Sequence, residues 1–567
     1  MIRKALFGIL LLSSLLLTAV PSMYKLRIWF SACSPYLTAT AFLVWIAAVG
    51  IWIRQTATAS ARRHIGPGVL SIAVVSGIFI LAPPRMKVFD DEPVLMNVAK
   101  SLYEHRTCAY PRISLVGAEC DTARIIDKRP ILFPFLVSLA HRVKGYDVRN
   151  GFAVNFICGV LTLFSFYLLL SLFFPRWLSA VGMLILSSQP VFLFWITSGG
   201  FEALNLFLAV LAFYFFGASL IAGSAAAFNA LIMTLLLLAQ CRYESALFFL
   251  GLPLLYGRGK KPFRITAIAA VAPVLFLPVL WQRRIFLGAS DTWNAIGAYV
   301  LQVPSAHAVY SVRNFISNAP DNAYVLLGVD PNLGFSMVFS LPAILGMYLL
   351  VKSIVLRTAK APGLSTIIVF GMAMSLLLFI LYGCFYWGRF TNPAMNRMAL
   401  IFLPGMAFGT VFFLHALLRA YPMIPRAVVA GFAAGTMVFC WTYGVRQKYP
   451  SLLSRQIEYH TTMRYLADNR YLKKSTLLIS DAPQLYAIHD IQAVDFAFAN
   501  DHKKIIREAL GKDSASVLVL RRFLHRTGSP AAANQIDTAF VLREECRMPL
   551  ASASYLTASR ISGITGE

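Results

Sequence analysis

The sequence predicts a polytopic all-α membrane protein of about thirteen transmembrane helices, with amphipathic outer-loop helices and a small outer C-terminal α/β or α+β domain. Three observations carry that prediction. First, 58% of the 567 residues are hydrophobic and only 13% are charged, about half of the roughly 25% usual in soluble domains. Mean hydropathy is +0.67. Second, apolar runs of near-spanning length recur along the chain as far as residue 444. Third, Lys and Arg are partitioned between the loops in the manner of a membrane topology signal. Soluble multidomain, disordered and fibrous classes are thereby excluded. Eight cysteines with no CxxC pair and no Cys/His cluster exclude a disulfide scaffold and a zinc module.

Taken in order, the apolar segments fall at approximately 5–22, 35–53, 66–83, 151–172, 178–196, 203–222, 226–241, 245–256, 265–281, 335–351, 364–383, 398–418 and 426–444. The eighth is short for a span of about 20 residues. The first follows Arg3 and Lys4 and has the shape of a secretory signal. Thr18-Ala19-Val20-Pro21 makes a poor cleavage site, which favours an uncleaved helix. With the N-terminus in the cytoplasm, the inside loops hold Arg3 and Lys4; Arg54, Arg62 and Arg63; Arg176; Arg258, Lys260, Lys261 and Arg264; Lys352, Arg357 and Lys360; and Arg419 and Arg426. No acidic residue faces inside under that alternation, and all 25 Asp and Glu fall outside. The net charge of +26 is in part a topology signal, so a nucleic-acid partner is not implied.

The soluble mass lies outside, in loops 84–150 and 282–334 and in a C-terminal region 445–567. That organisation gives a membrane domain over 1–444 and an extracytoplasmic domain over 445–567. In the latter, short apolar runs at Thr476–Ser480 and Ser516–Leu520 alternate with polar stretches, and 451–468 has helical spacing. The chain has no internal repeat, which weakens a secondary-transporter reading.

The first outer loop carries the most chemistry. Asp90-Asp91-Glu92-Pro93 opens a run in which Leu95, Val98 and Leu102 recur at helical spacing. Proline suits the first helical turn, and acids before it favour the N-terminus through capping and the dipole. That is the structural reading of the three carboxylates. A second amphipathic stretch follows Lys128-Arg129-Pro130, with Ile131, Leu132, Phe135, Leu136 and Leu139 on one side. Both segments have the pattern of helices lying on a membrane surface. Such helices would hold a carboxylate and a cation at the water–lipid boundary. A positioned carboxylate can take the proton of an attacking acceptor hydroxyl, and a nearby Arg or Lys can stabilise a leaving phosphate.

Phe89-Asp90-Asp91-Glu92-Pro93-Val94-Leu95 resembles the first-loop Asp-Glu motif of the GT-C glycosyltransferases, in the branch of the protein O-mannosyltransferases and the lipid A aminoarabinose transferase. Lys128-Arg129-Pro130-Ile131-Leu132 is similar to that branch's basic-Pro-Pro-Leu segment, with Ile131 in place of the second proline. The resemblance implies transfer from a polyprenyl-phosphate sugar, with inversion, to an acceptor hydroxyl on the extracytoplasmic face. It implies Asp91 as the base and Arg129 as a donor-phosphate contact, with Asp90 leaving the acid register ambiguous by one residue. Glu92 is a supporting acid, and Lys128 is either a second phosphate contact or a solvated neighbour of Arg129.

Arg242-Tyr243-Glu244 resembles an Arg-containing turn of the same family, against the plainer reading of a snorkelling Arg paired with Glu244. Glu202, after Ser198-Gly199-Gly200, is a positioning candidate or a cap for the next helix. Arg389 and Arg397 flank Thr391-Asn392-Pro393 just before a span, as phosphate contacts or interfacial anchors. Tyr386 and Trp387 fit either sugar stacking or an aromatic belt. Cys108 and Cys120 share the first outer loop, as a candidate disulfide or as two free thiols. His307 stands as a loop histidine. No cofactor is required by this scheme, although a carboxylate-bound divalent ion is compatible with it. The resemblance implies a bacterial inner membrane, an endoplasmic reticulum would satisfy the same topology, and lipid, glycan and protein acceptors all fit. The rival class is a non-enzymatic lipid or polysaccharide transporter, which predicts ionisable residues deep within helices; an inactive scaffold would keep the fold without turnover.

Overall fold

The structure is a computed structural model and describes residues 2–56, 64–88, 91–111, 124–258, 266–287, 310–328, 336–356, 363–392, 394–451, 454–472, 476–511, 516–524, 535–549 and 554–565. Asp90, Cys120 and His307 lie outside the described residues, so the register of the acid pair and the Cys108–Cys120 pairing do too. The chain divides into two compact units. One comprises Met1–Arg85, Lys128–Leu136 and Phe152–Lys448, and the other Met86–Asp127, Val137–Gly151 and Tyr449–Glu567.

The first unit is a helical bundle. Among the described residues, eight helices are long and apolar enough to cross a membrane: Ile2–Ala19, Met23–Thr56, Asn150–Ser171, Glu202–Ala222, Ala267–Phe286, Met337–Val355, Leu364–Cys384 and Asn396–Ala420. A ninth is the pair Arg176–Ser187 and Pro190–Ile196, bent by 74°. Pro190 opens the second half and has no amide to continue the helix before it. Thus the thirteen expected segments do not all reach spanning length. Ile65–Leu81, Ala225–Cys241 and Tyr243–Leu255 are apolar but shorter, and 17 residues rise only about 25 Å against a hydrocarbon core of about 30 Å. The eighth segment begins as a 3-10 helix, Tyr243–Gly251, before turning α-helical at Leu252–Arg258.

Two helices of this bundle meet at glycines. A methyl group on Gly346 would lie 1.8 Å from the Gly409 carbonyl oxygen, and one on Gly409 would lie 2.8 Å from the Ala343 oxygen. Backbones can approach so closely only where neither residue has a side chain.

The second unit holds a five-stranded mixed sheet in the order β4-β3-β5-β7-β6. Its strands are β3 (Thr476–Ile479), β4 (Gln492–Val494), β5 (Ser516–Leu524), β6 (Phe540–Pro549) and β7 (Ser554–Ile564). β3 pairs parallel with β4 and β5, whereas β7 pairs antiparallel with β5 and β6. The domain is therefore α/β at one edge and antiparallel at the other. Leu477, Ile479, Val494, Phe496, Ile506, Val517 and Val519 form its core, which helices Phe496–Asp501 and Lys503–Leu510 help to close. The unit also contains the hairpin of β1 (Ala109–Pro111) and β2 (Arg124–Ile126).

Both expected outer-loop helices form, at Glu92–Glu104 and Leu132–Lys144. The first is enclosed by protein along most of its length: Pro93 to Ala99, Ser101 and Leu102 are buried, polar Asn97 among them. A helix with only its apolar face covered would leave Asn97 open.

Candidate functional site

The acidic turn is built by its neighbouring backbone. Asp91 and Glu92 donate their amides to the Val88 carbonyl at 3.0 and 2.9 Å. The Glu92 carboxylate, 1% exposed, accepts the Lys87 amide at 3.1 Å and the Val88 amide at 3.2 Å. Each Glu92 oxygen thus accepts a backbone amide of the turn. Asp91 occupies the N-cap position, yet its side chain makes no capping hydrogen bond to the helix. Pro93 sits in the first helical turn, as expected. Glu92 shapes the turn, and Asp91 stands just before it at the N-cap.

The cationic cluster belongs to the other unit and draws on four elements. Arg242 follows helix Ala225–Cys241 and is 5% exposed. Its Nε lies 3.3 Å from Glu244 Oε2, and its Nη2 contacts the Met398 sulfur. The guanidinium also lies over the Phe201 and Tyr382 rings, at 5.7 and 5.5 Å. Arg397 Nη1 is 3.1 Å from Glu202 Oε1, and Glu202 is 2% exposed. Glu202 Oε2 has no hydrogen-bond partner among the described residues.

Gly200 makes room for that carboxylate: a methyl there would lie 2.1 Å from Glu202 Oε2. Asn155 fixes the same turn by donating from Nδ2 to the Ser198 and Gly200 carbonyls, each at 2.7 Å. Glu202, Asn205, Arg242, Tyr382, Arg397 and Met398 line a cavity of about 10 Å³, close to the room one water needs. Ile401 lines both this cavity and an apolar one of about 320 Å³, whose walls include Phe213, Ile367, Met372 and Phe408.

Arg242, Glu244, Glu202 and Arg397 are therefore brought together. Other expected residues are placed apart from that cavity's lining. Arg389 is half-exposed and reaches Ser317 at 2.5 Å, Asn318 at 3.1 Å and Asp321 at 3.7 Å. Tyr386 packs between Phe385 and Trp387, at 4.7 and 5.7 Å. Lys128 and Arg129 immediately precede the 132–144 helix, and the Arg129 carbonyl accepts Gln282 Nε2 at 2.6 Å. Cys108 is buried, which pushes its thiol well above the usual range.

Two features escaped the sequence reading. Arg283 lies with its guanidinium 4.5 Å from the Tyr243 ring centre. Asn314, Asn318 and Asn322, at four-residue spacing on helix Val312–Leu326, stitch the 383–390 loop in place. Their amides donate to the carbonyls of Cys384, Gly383, Phe385 and Gly388 at 2.8–3.1 Å. The repeat of asparagines was the available signal, because three amides on one helical face need polar partners.

The sequence matches no family profile and no curated protein. Solved structures do match. ArnT from Cupriavidus metallidurans bound to undecaprenyl phosphate aligns with a TM-score of 0.54 at 11% identity, covering 88% of this chain and 99% of that one. The same protein in the apo state gives 0.54 at 9% identity, over 87% and 98%. The chain has the GT-C fold that its first-loop motif resembles, and it is a multi-pass membrane protein.

Proposed function

We propose that this chain is an integral membrane glycosyltransferase that moves a sugar, hexosyl or pentosyl, from a polyprenyl-phosphate donor to an acceptor hydroxyl outside the cytoplasm. The acceptor oxygen attacks the anomeric carbon from the face opposite the phosphate, so the new bond forms with inversion. The bond from that carbon to the phosphate oxygen breaks, and its electron pair leaves with the phosphate. Asp91 takes the acceptor proton as general base. The departing polyprenyl phosphate gains one negative charge, which Arg242 and Arg397 stabilise, with Arg129 and Lys128 as further contacts. Glu202 and Glu244 hold the guanidinium groups of Arg397 and Arg242, and Glu92 holds the turn before which Asp91 stands. Asp90 is the alternative base, one residue earlier. Arg389, with its three polar partners, fastens the loop after Cys384.

The observation that carries the reading is the pairing of buried Arg242 with partly buried Arg397 around one small cavity, with Ile401 shared between that cavity and the larger apolar one. Anion recognition beside an apolar groove suits a phosphate joined to an isoprenoid chain. ArnT of the same fold was solved with undecaprenyl phosphate, which supports the donor class. The basic inner loops support an N-terminus inside, and the family resemblance favours a bacterial inner membrane, a topology that an endoplasmic reticulum would satisfy equally; a lipid, a glycan or a protein would serve as acceptor.

The test uses purified protein in proteoliposomes with a panel of polyprenyl-phosphate sugars and a membrane extract as acceptor. Release of polyprenyl phosphate by the wild type, and its loss in Arg397→Gln, is the expected result. Absence of both release and binding for every donor would overturn the reading in favour of the non-enzymatic transporter.

A further inference from the structure

The helix that presents Asp91 is held at its far side by a turn more than 380 residues away in sequence. Asn97 and Lys100 are three residues apart on helix Glu92–Glu104 and therefore share a face. Asn97 Nδ2 donates to the Gln484 carbonyl at 3.1 Å. Lys100 Nζ donates to the Ala487 carbonyl at 3.1 Å and meets Asp490 Oδ1 at 2.5 Å. Its side chain is only 13% exposed, and the ammonium lies 5.2 Å from the Tyr146 ring centre. Tyr146 in turn donates its hydroxyl to the Ile488 carbonyl at 2.5 Å.

The receiving turn is shaped for this contact. Gln484–Ala487 is a single helical turn whose last carbonyls lack partners within it. Asp490 has φ +60°, a left-handed conformation that Asp tolerates better than most residues. That conformation leads the chain directly into β4 at the sheet edge. Lys100 is thus nearly enclosed, with a carbonyl, a carboxylate and an aromatic ring around its charge.

We propose that Lys100 is a positioning residue, through which the 484–490 turn of the C-terminal domain sets the pose of the Asp91-bearing helix. This rests on the reading of Asp91 as the base. Lys100 lies nine residues from Asp91, about 13 Å along a helix, so it touches no reacting atom and acts only through the helix. The near end is held by the Glu92 carboxylate on the Lys87 and Val88 amides; the Lys100 contacts hold the other end. A displacement of about 1 Å at a reacting group can cost about 100-fold in rate. The C-terminal domain is then a working part of the base's support.

The test has a structural and a kinetic arm. Hydrogen exchange on the full-length protein in detergent compares wild type, Lys100→Met, Lys100→Arg and Asp490→Asn. Faster exchange confined to 92–104 in Lys100→Met and Asp490→Asn, restored in Lys100→Arg, is expected. Unchanged exchange in both variants overturns the proposal, and Asp490→Asn covers the case in which Lys100→Met fails to fold. The kinetic arm uses the undecaprenyl-phosphate sugar that the wild type turns over. Lys100→Met and Asp490→Asn should each lower kcat about 10- to 100-fold with KM within about twofold, and combining them should cost no more than either alone. Wild-type kcat in both variants, with Asp91→Asn inactive, overturns Lys100's role and leaves the base assignment intact. Normal turnover by Asp91→Asn removes the base assignment and this role together.

Discussion

Val88 and Glu92 bond to each other twice: the Val88 amide donates to Glu92 Oε1 at 3.2 Å, and the Glu92 amide donates to the Val88 carbonyl at 2.9 Å. This reciprocal pair closes the turn immediately before the helix and uses the Glu92 carboxylate as an acceptor for backbone amides. Glu92→Gln turns one accepting oxygen into an NH2 group facing an amide. The variant should lose about 1–3 kcal/mol of stability and retain measurable transfer. Thermal unfolding in detergent, together with polyprenyl-phosphate release, checks both halves.

Glu202 and Arg397 make a second prediction. Glu202 is buried and Arg397 partly so; removing one partner of a fully buried ion pair costs about 3–5 kcal/mol, which is the upper bound here, whereas removing both costs less. Arg397→Met should therefore unfold at a lower temperature than the double variant Arg397→Met/Glu202→Gln. Neither should transfer sugar at the wild-type rate. A double variant less stable than Arg397→Met would contradict the pairing.

The Gly346–Gly409 approach leaves no space for a methyl group. Gly346→Ala should destabilise the bundle by about 1–3 kcal/mol through overpacking, while Gly8→Ala, where nothing lies within 4 Å, should be neutral or stabilising. The fraction of monodisperse protein surviving a heat step in detergent distinguishes the two.

His141 predicts an acid-sensitive second unit. Its Nδ1 accepts from Asn150 Nδ2 at 2.9 Å, and burial pulls its pKa down to about 4, opposed by the Asp147 charge. A folded pKa below the ordinary value near 6.5 means that the unfolded chain binds more protons between the two. Stability from this group is present above pH 6.5 and is lost as pH falls toward 4. His141→Gln, which keeps an acceptor for Asn150, should flatten that part of the unfolding-temperature profile. An unchanged slope would refute the assignment.

The sequence made the apolar helices, the C-terminal domain and the acidic helix start legible because each depends on local pattern: hydropathy for the first, alternating runs for the second, Asp91 and Pro93 for the third. Glu202 and Arg397 were both singled out, but their pairing across 195 residues depends on how the helices pack. Lys100 and Asp490, 390 residues apart, were opaque for the same reason. The 74° break at Pro190 was locally visible as a proline, yet the apolar run 178–196 reads as one segment by composition. Glu92 reads as a candidate acid by type, and only the positions of the Lys87 and Val88 amides show how its oxygens are used.

The most direct measurement is polyprenyl-phosphate release by Asp91→Asn beside wild type, at equal amounts of folded protein and with donor binding measured in parallel. Asparagine keeps the size of the side chain and removes its basicity. The account predicts release reduced by at least about 100-fold with donor affinity within about twofold. Wild-type release by Asp91→Asn would contradict it.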